Sequence, residues 1–259
     1  MRRFSRLTFG LVSVLLFVAV TGMAGADDGS AYLRKVDDNA NFMAGDFAAE
    51  YAISQSDPGE GSSFTKVLVF KRDRKEQFLA LLVEPAADKG KGYLMIEGGI
   101  WLYDPRDRRF TFSSAQDAFR NTNARNSDFA VSRLASQYRV VSTAKEKLGV
   151  FDCDRLELVA TTPDAPFPKR TFWISSDYAV RMARDYSLSG QLLRTVAFQY
   201  VQIAGRNVQS RIVMLDELKK KMVGGKEEKA TTSIVISKQS MATLPDALFT
   251  KEYLERIGK

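Results

Sequence analysis

Along most of this chain apolar and polar residues alternate with a period of two, and the breaks in that rhythm mark where other elements begin. Before it starts, Ser30 to Met43 places Tyr32, Leu33, Val36 and Phe42 near helical spacing, which predicts an amphipathic helix capped by Ser30 and ended by Gly45. From Phe47 the period becomes two. Phe47–Ile53 reads as a strand, followed by a Ser/Asp/Pro/Gly loop at 54–63. Phe64–Phe70 and Gln77–Val83 then read as a hairpin around Arg72-Asp73-Arg74. Lys89 to Gly92 turns the chain into Tyr93–Ile96. The run Gly98-Gly99-Ile100-Trp101-Leu102-Tyr103 follows, ends at an Asp104-Pro105 turn, and is answered by Arg108–Phe112.

The rhythm then fails. Residues 113–137 are rich in Ser, Asn, Asp and Ala, with Phe119, Phe129, Val131 and Leu134 as isolated apolar points in two short helical stretches, Ala115–Phe119 and Asp128–Leu134. A 25-residue insert between strands is long by ordinary loop statistics, and such segments often act as lids. Strands resume at Tyr138–Thr143, Phe151–Ala160, Lys169–Ser175, Ala179–Ser187, Gln191–Gln202, Val208–Leu215 and Ala230–Lys238, and a last segment carries Leu248, Phe249, Tyr253 and Leu254 near helical spacing. About ten to twelve strands with short antiparallel connections predict a mainly β, α+β fold: a large, curved antiparallel sheet with a few short helices.

Two strands are apolar on both sides. Phe78 to Val83 offers no polar face at all. In Gln191–Gln202, Leu192, Val196, Phe198 and Tyr200 share one face with Arg194 interrupting it, while Leu193, Ala197 and Val201 lie on the other. Either both faces are covered, as in a sandwich with an ordinary core, or one lines an apolar cavity.

Composition narrows the chemistry. Arg2, Arg3 and Arg6, the apolar stretch Leu11–Val20 and the small residues Ala24-Gly25-Ala26 form a secretory signal that predicts cleavage after Ala26 and export to the periplasm. No cysteine follows that site to carry a lipid anchor, so a soluble mature chain of one domain, residues 27–259, is expected. Removing the signal takes three arginines and no acid, so the net charge falls from +7 to +4. The basic clusters Lys71–Lys75, Arg106–Arg109 and Lys219–Lys221 sit at turns and read as solvated rims, and no nucleic-acid motif accompanies them. The single cysteine, Cys153, has no partner for a disulfide and is flanked by acids, which disfavour a thiolate. The chain has no histidine, which removes Ser-His-Asp and Cys-His catalysis and most zinc and iron sites. Asp152/Asp154 and Glu227/Glu228 are the paired carboxylates a hydrolase would need, and both read as exposed acids. No enzyme, metal or cofactor is expected; the chain reads as one that holds an apolar ligand without reacting with it.

In three segments the sequence resembles the outer-membrane lipoprotein-sorting proteins, the LolA-like periplasmic lipoprotein carriers. Trp101-Leu102-Tyr103-Asp104-Pro105 with the charged residues after it matches their aromatic strand, and Ser127-Asp128-Phe129 matches a polar loop of one branch. Arg170-Thr171-Phe172-Trp173-Ile174 with Tyr178, Arg181 and Ser189 to Thr195 matches the same branch, and the likeness covers most of residues 31–256. The resemblance implies an incomplete, half-open β-barrel with helices as a lid over a concave face that takes up acyl chains, without enzymatic activity. It implies partners as well: an inner-membrane lipoprotein-releasing transporter, an outer-membrane acceptor and the acyl chains of lipoproteins or other lipids, bound by a monomer. A lipid- or lipoprotein-sensing module of the same fold is the alternative. The residues expected to line the cavity are Phe70, Leu79, Leu81, Ile96, Trp101, Tyr103, Phe112, Phe119, Phe129, Phe172, Phe198 and Tyr200. In the family an arginine on an early strand tethers the lid through backbone carbonyls, and Arg72 or Arg74 lies near the corresponding place.

Overall fold

The computed structural model describes residues 26–258, so the expected signal segment, apart from its last residue Ala26, lies outside the described residues. Helix α1 (Ala26–Ala40) is followed by β1 (Phe47–Ser56), β2 (Ser62–Arg72), β3 (Gln77–Glu84), β4 (Gly92–Ile96), β5 (Gly99–Asp104) and β6 (Arg109–Ser113). An insert then carries a 3-10 turn (Asn126–Phe129) and the one-turn helix α2 (Leu134–Gln137). The second run of strands is β7 (Tyr138–Leu148), β8 (Phe151–Ala160), β9 (Lys169–Ser175), β10 (Val180–Tyr186), β11 (Leu192–Ile203), β12 (Arg206–Val223) and β13 (Lys226–Ser240). A 3-10 turn (Asp246–Phe249) and α3 (Lys251–Ile257) close the chain. Every strand read from the alternation is present. The count rises to thirteen, and the last hairpin runs on to Gly224-Gly225.

All thirteen strands form one antiparallel sheet in the order β6-β5-β4-β3-β2-β1-β13-β12-β11-β10-β9-β8-β7. Sequence neighbours pair everywhere except between β6 and β7, and β1 with β13 joins the two halves. The strands β6 and β7, consecutive in the chain, therefore lie at opposite edges of an open sheet. This explains the insert: residues 114–137 must carry the chain from one edge to the other. One apolar cluster draws residues from β1–β4, β7–β13, α1, α2 and the insert, so the sheet curls around it.

The C-terminal end of α1 differs from the sequence expectation. The helix runs Ala26–Ala40 instead of Ser30–Met43, and Ser30, inside it, accepts from Arg34 Nη1 at 2.8 Å instead of capping the start. The end is set by Arg206, whose Nη2 donates to the carbonyls of Asp38, Asn39 and Asn41 at 3.3, 3.2 and 2.7 Å and takes up carbonyls the helix leaves free. Gly29 allows α1 to approach the sheet, because a Cβ there would come within 3.1 Å of Val140 on β7. Leu33 and Val36 are the helix residues buried in the inner core.

The register also settles the two-faced strands. Val69, Ala80, Tyr93 and Leu102 form one cross-strand row on the inner face. Their neighbours Phe70, Leu79, Leu94, Trp101 and Phe112 form a parallel row on the outer face. There a second cluster of Leu79, Leu94, Tyr103, Phe249 and Leu254, with Phe70, Leu81 and Ile96 against it, is covered by α3 and the turn before it. Both faces of β2–β5 are thus covered, by different segments.

Candidate functional site

Between the inner face and its cover lies a cavity of about 210 Å³. Its floor comes from the far half of the sheet: Phe172, Val180, Ala183, Val196, Phe198, Tyr200, Ile212 and Met214, with Phe47 and Tyr51 from β1. Its roof is α1, through Val36, with Phe42 just past the helix end, and the insert from Ser127 to Leu134. The roof is tied together by polar groups. The Asp37 carboxylate on α1 accepts from Ser132 Oγ at 2.6 Å and from the backbone N–H groups of Leu134 and Ala135 at 2.9 Å, which caps α2 from another element. Asn41 and Ser132 exchange hydrogen bonds of 2.9 and 2.8 Å. The insert is pinned to the sheet where Asn123 N–H donates to Thr232 Oγ1 at 2.8 Å and its amide to the Ala230 carbonyl at 3.0 Å.

The twelve residues expected to line a cavity separate by position. Phe129, Phe172, Phe198 and Tyr200 line this one. Phe119 is buried beside it, 4.9 Å from the Phe129 ring and 4.4 Å from Tyr93. The other seven, Phe70, Leu79, Leu81, Ile96, Trp101, Tyr103 and Phe112, lie on the outer face. The reason is the pleat: in β5, Ile100 and Leu102 point inward, so Trp101 and Tyr103 cannot. Trp101 sits under Lys251 of α3, whose Nζ is 3.6 Å from the ring centroid, and Phe112 beside it is 63 % exposed.

Arg72 does tether a cover, but the outer one. Only 2 % exposed, it donates from Nε and Nη2 to Asp46 at 3.2 and 3.0 Å, to the Leu244 carbonyl and to Asp246, and its guanidinium stacks on Phe249. Arg74 adds a bond to Asp46, which also accepts the Leu244 N–H at 2.7 Å. Burial would raise the Asp46 carboxyl, yet the hydrogen bonds from Arg72, Leu244 and Arg74 outweigh it and hold the group at about 2. These bonds clamp the segment leading into α3 and do not reach the insert.

The inner cover has its own charged anchor, for which the sequence offered no role. Arg194 on β11 is 6 % exposed and forms a two-pronged pair with Asp128 of the insert, Nη1 to Oδ2 at 2.7 Å and Nη2 to Oδ1 at 2.6 Å. Its Nε donates to Asp185 on β10 at 2.5 Å, and the other oxygen of Asp185 takes Arg170 Nε at 2.6 Å. Arg125, Arg170 and Arg194 all face the buried Phe167 ring, at 4.3, 5.5 and 4.6 Å. Burial works to raise the Asp128 carboxyl, and the Arg194 charge and its bonds keep it below the usual range. For Arg194, burial works downward and Asp128 and Asp185 hold it above the ordinary arginine value. An arginine interrupting an apolar strand face was the visible signal, since a buried charge needs a partner.

The carboxylate pairs do not converge on a cleft. Tyr32 Oη donates to Asp154 at 3.1 Å and Lys145 pairs with it at 2.6 Å, while Glu227 pairs with Lys220 near the hairpin tip. Cys153 is buried, and burial pushes its thiol up. Among the described residues, no three His, Cys, Asp or Glu side chains are placed to hold a metal ion, and no helix is long and apolar enough to cross a membrane.

A family model described as that of an uncharacterized protein matches residues 74–256. No curated protein matches the chain. Among solved structures, a LolA superfamily protein from Nitrosomonas europaea is similar at 24 % identity and a TM-score of 0.71, over 87 % of this chain and 98 % of that one. A domain of an outer membrane lipoprotein-sorting protein from Vibrio parahaemolyticus is similar at 20 % identity and a TM-score of 0.76, over 89 % and 100 %. A DUF1329 family protein from Desulfovibrio piger follows at 18 % identity and a TM-score of 0.75, over 88 % and 98 %. At these identities the shared property is the fold: a LolA-like open β-barrel with helices.

Proposed function

The chain belongs to the family whose model spans residues 74–256, and from its LolA-like fold and its cavity we propose that it is a soluble periplasmic carrier for acyl chains. The reading takes residues 27–259 as one mature domain without a lipid anchor, released from its signal segment after Ala26. It binds the chains of lipoproteins or other lipids and passes them toward the outer membrane. An inner-membrane releasing transporter would load it and an outer-membrane acceptor would unload it.

The observation that carries this reading is the apolar cavity beneath a cover made of α1 and the insert. Each methylene kept from water is worth about 0.8 kcal/mol, so a chain of roughly 16 carbons would cost on the order of 12 kcal/mol to expose. A carrier must offset most of that and still release its cargo. At about 210 Å³ the cavity exceeds the roughly 150 Å³ that accommodates a benzene ring. It falls short of the roughly 300–1,000 Å³ of sites for drug-sized ligands. On this reading the conformation with the smaller cavity is a closed one, and loading requires the cover to move. Cover and cargo then compete for the same apolar floor, which makes release achievable. No catalytic step is assigned to any residue.

Two measurements test the proposal. Native mass spectrometry of protein purified from cells should show co-purifying acyl species. After thorough delipidation, the protein should take up a fluorescent fatty-acyl probe in a saturable way, and substitution of Phe172 or Val196 by Asp should abolish uptake. A delipidated, folded protein that takes up neither acylated peptide nor fatty-acyl probe would sink the reading.

A further inference from the structure

The cavity is apolar along its floor but charged at one end, and the charges there are unevenly shared between sheet and cover. The fixed part, on the sheet, holds two guanidinium groups, Arg170 and Arg194, against one carboxylate, Asp185, which is fully buried between them. Both arginines line the cavity. The balancing carboxylate, Asp128, belongs to the insert and occupies the outer prongs of Arg194 at 2.6 and 2.7 Å. Asp128 is also the carboxylate that caps its own 3-10 turn through the Arg125 N–H at 2.7 Å, so it travels with the insert. With the cover lifted, Arg194 would keep its Nε bond to Asp185 and at most the long 3.4 Å bond from Nη1 to the Asn123 carbonyl, and would present to the cavity the planar pair of donors that Asp128 had held. Two buried guanidinium groups would then share the single Asp185 carboxylate, an uncompensated buried charge is disfavoured, and the free fork matches two oxygens of a carboxylate or phosphate.

We propose that Arg194 is a headgroup site: the cavity takes amphiphiles with an anionic head, and that head replaces Asp128 on the Arg194 fork. This rests on the reading that the cavity holds apolar chains, and it names the class of ligand that fits. The same exchange couples occupancy to the cover, because head and insert cannot both hold Arg194. Arg170 lies alongside, bonded to Asp185 through Nε, and its charge adds to the local excess that favours an anion. Acyl cargo with a neutral head would enter the same floor but leave the outer fork of Arg194 without an anion.

The test compares three probes on the delipidated full chain by isothermal titration: laurate, methyl laurate, and acetate as the head alone. Laurate is expected to bind about tenfold or more tighter than methyl laurate, the scale of a charge-assisted hydrogen bond, and acetate not at the same concentrations. Asp128→Asn removes the competing carboxylate and loosens the cover, so it should tighten laurate several-fold and methyl laurate by clearly less. Arg194→Lys keeps the charge but loses the fork and should narrow the laurate preference; Arg194→Gln should erase it. Equal binding of laurate and methyl laurate by the wild-type chain, which needs no variant to fold, overturns the headgroup site and leaves the carrier reading standing. Acetate binding as tightly as laurate overturns it too, since the site would then be an anion site independent of the cavity. Binding of none of the three defeats the carrier reading and the headgroup site with it.

Discussion

The two faces of this sheet are covered by similar means and to different ends. On the outer face α3 packs directly onto β3–β5: Leu254 sits so close to Gly92 that a Cβ there would lie 2.5 Å from Leu254 Cδ2. On the inner face α1 and the insert stand off the far strands and enclose a cavity of about 210 Å³. Each cover is also anchored by a buried arginine, Arg72 outside and Arg194 inside. The Arg72 bonds go to Asp46 beside β1 and to the segment before α3, in a place where nothing needs to pass. The Arg194 fork closes the charged end of the cavity itself. A close contact makes one cover part of the scaffold; under the proposals above, a cavity and an ion pair that a headgroup can replace make the other one a gate.

The comparison breaks most readily at Arg72. Arg72→Ala leaves the Asp46 carboxylate buried without its main partner, and should cost about 3–5 kcal/mol of stability in urea unfolding at pH 7. Uptake of an acyl probe per folded molecule should not change, because the outer cover takes no part in the cavity; a variant with normal stability would show that the clamp is not what holds α3. Next in size is a matched pair. Leu254→Ala, at a residue with no exposure, should cost about 3 kcal/mol. Leu134→Ala, in the cavity roof, should cost clearly less, because its side chain already lacks partners on the cavity side. Equal losses would mean that the inner cover is packed as tightly as the outer one.

Acid separates the covers further. The Asp46 carboxyl sits at about 2 against an ordinary 3.8. A depressed carboxyl contributes stability that is present above the ordinary value and is lost as pH falls toward the folded one. The contribution is about 2 kcal/mol, disappearing between roughly pH 5 and pH 2. Urea unfolding of wild type and Asp46→Asn should therefore differ by about 2 kcal/mol less at pH 2 than at pH 5. A pH-independent difference would remove Asp46 as the acid-sensitive anchor of the outer cover.

How much of this was legible beforehand depends on the kind of contact. The strands, their antiparallel order and the lid-like insert follow from alternation and turn residues, since these are local signals. The face of the Gly98–Pro105 strand did not. Ile100 and Leu102 are as apolar as Trp101 and Tyr103, so the alternation is silent about which pair faces the cavity, and only the docking of α3 decides it. Arg194 was visible as a charge on an apolar face, but its partner Asp128 lies 66 positions earlier in an irregular segment where no spacing rule applies. Both residues stand in the motifs that carried the family resemblance, Ser127-Asp128-Phe129 and the Ser189 to Thr195 hairpin. The structure gives those two motifs a common physical reason.

The smallest expected effect tests the hinge end of the gate. Arg206 reads in sequence as a turn residue between Gly205 and Asn207, yet its Nη2 donates to three carbonyls at the end of α1 and its guanidinium faces Phe42, a roof residue. The carbonyls remain reachable by water once the arginine is gone, so Arg206→Gln should cost only about 1 kcal/mol of stability, the net worth of a hydrogen bond in water's presence. Its larger consequence is kinetic. With the helix end released, α1 should lift more often, and stopped-flow loading of an acyl probe should quicken while the Arg72→Ala variant loads at the wild-type rate. If Arg206→Gln loads no faster, α1 is a fixed wall and the gate is the insert alone, hinged against Arg194.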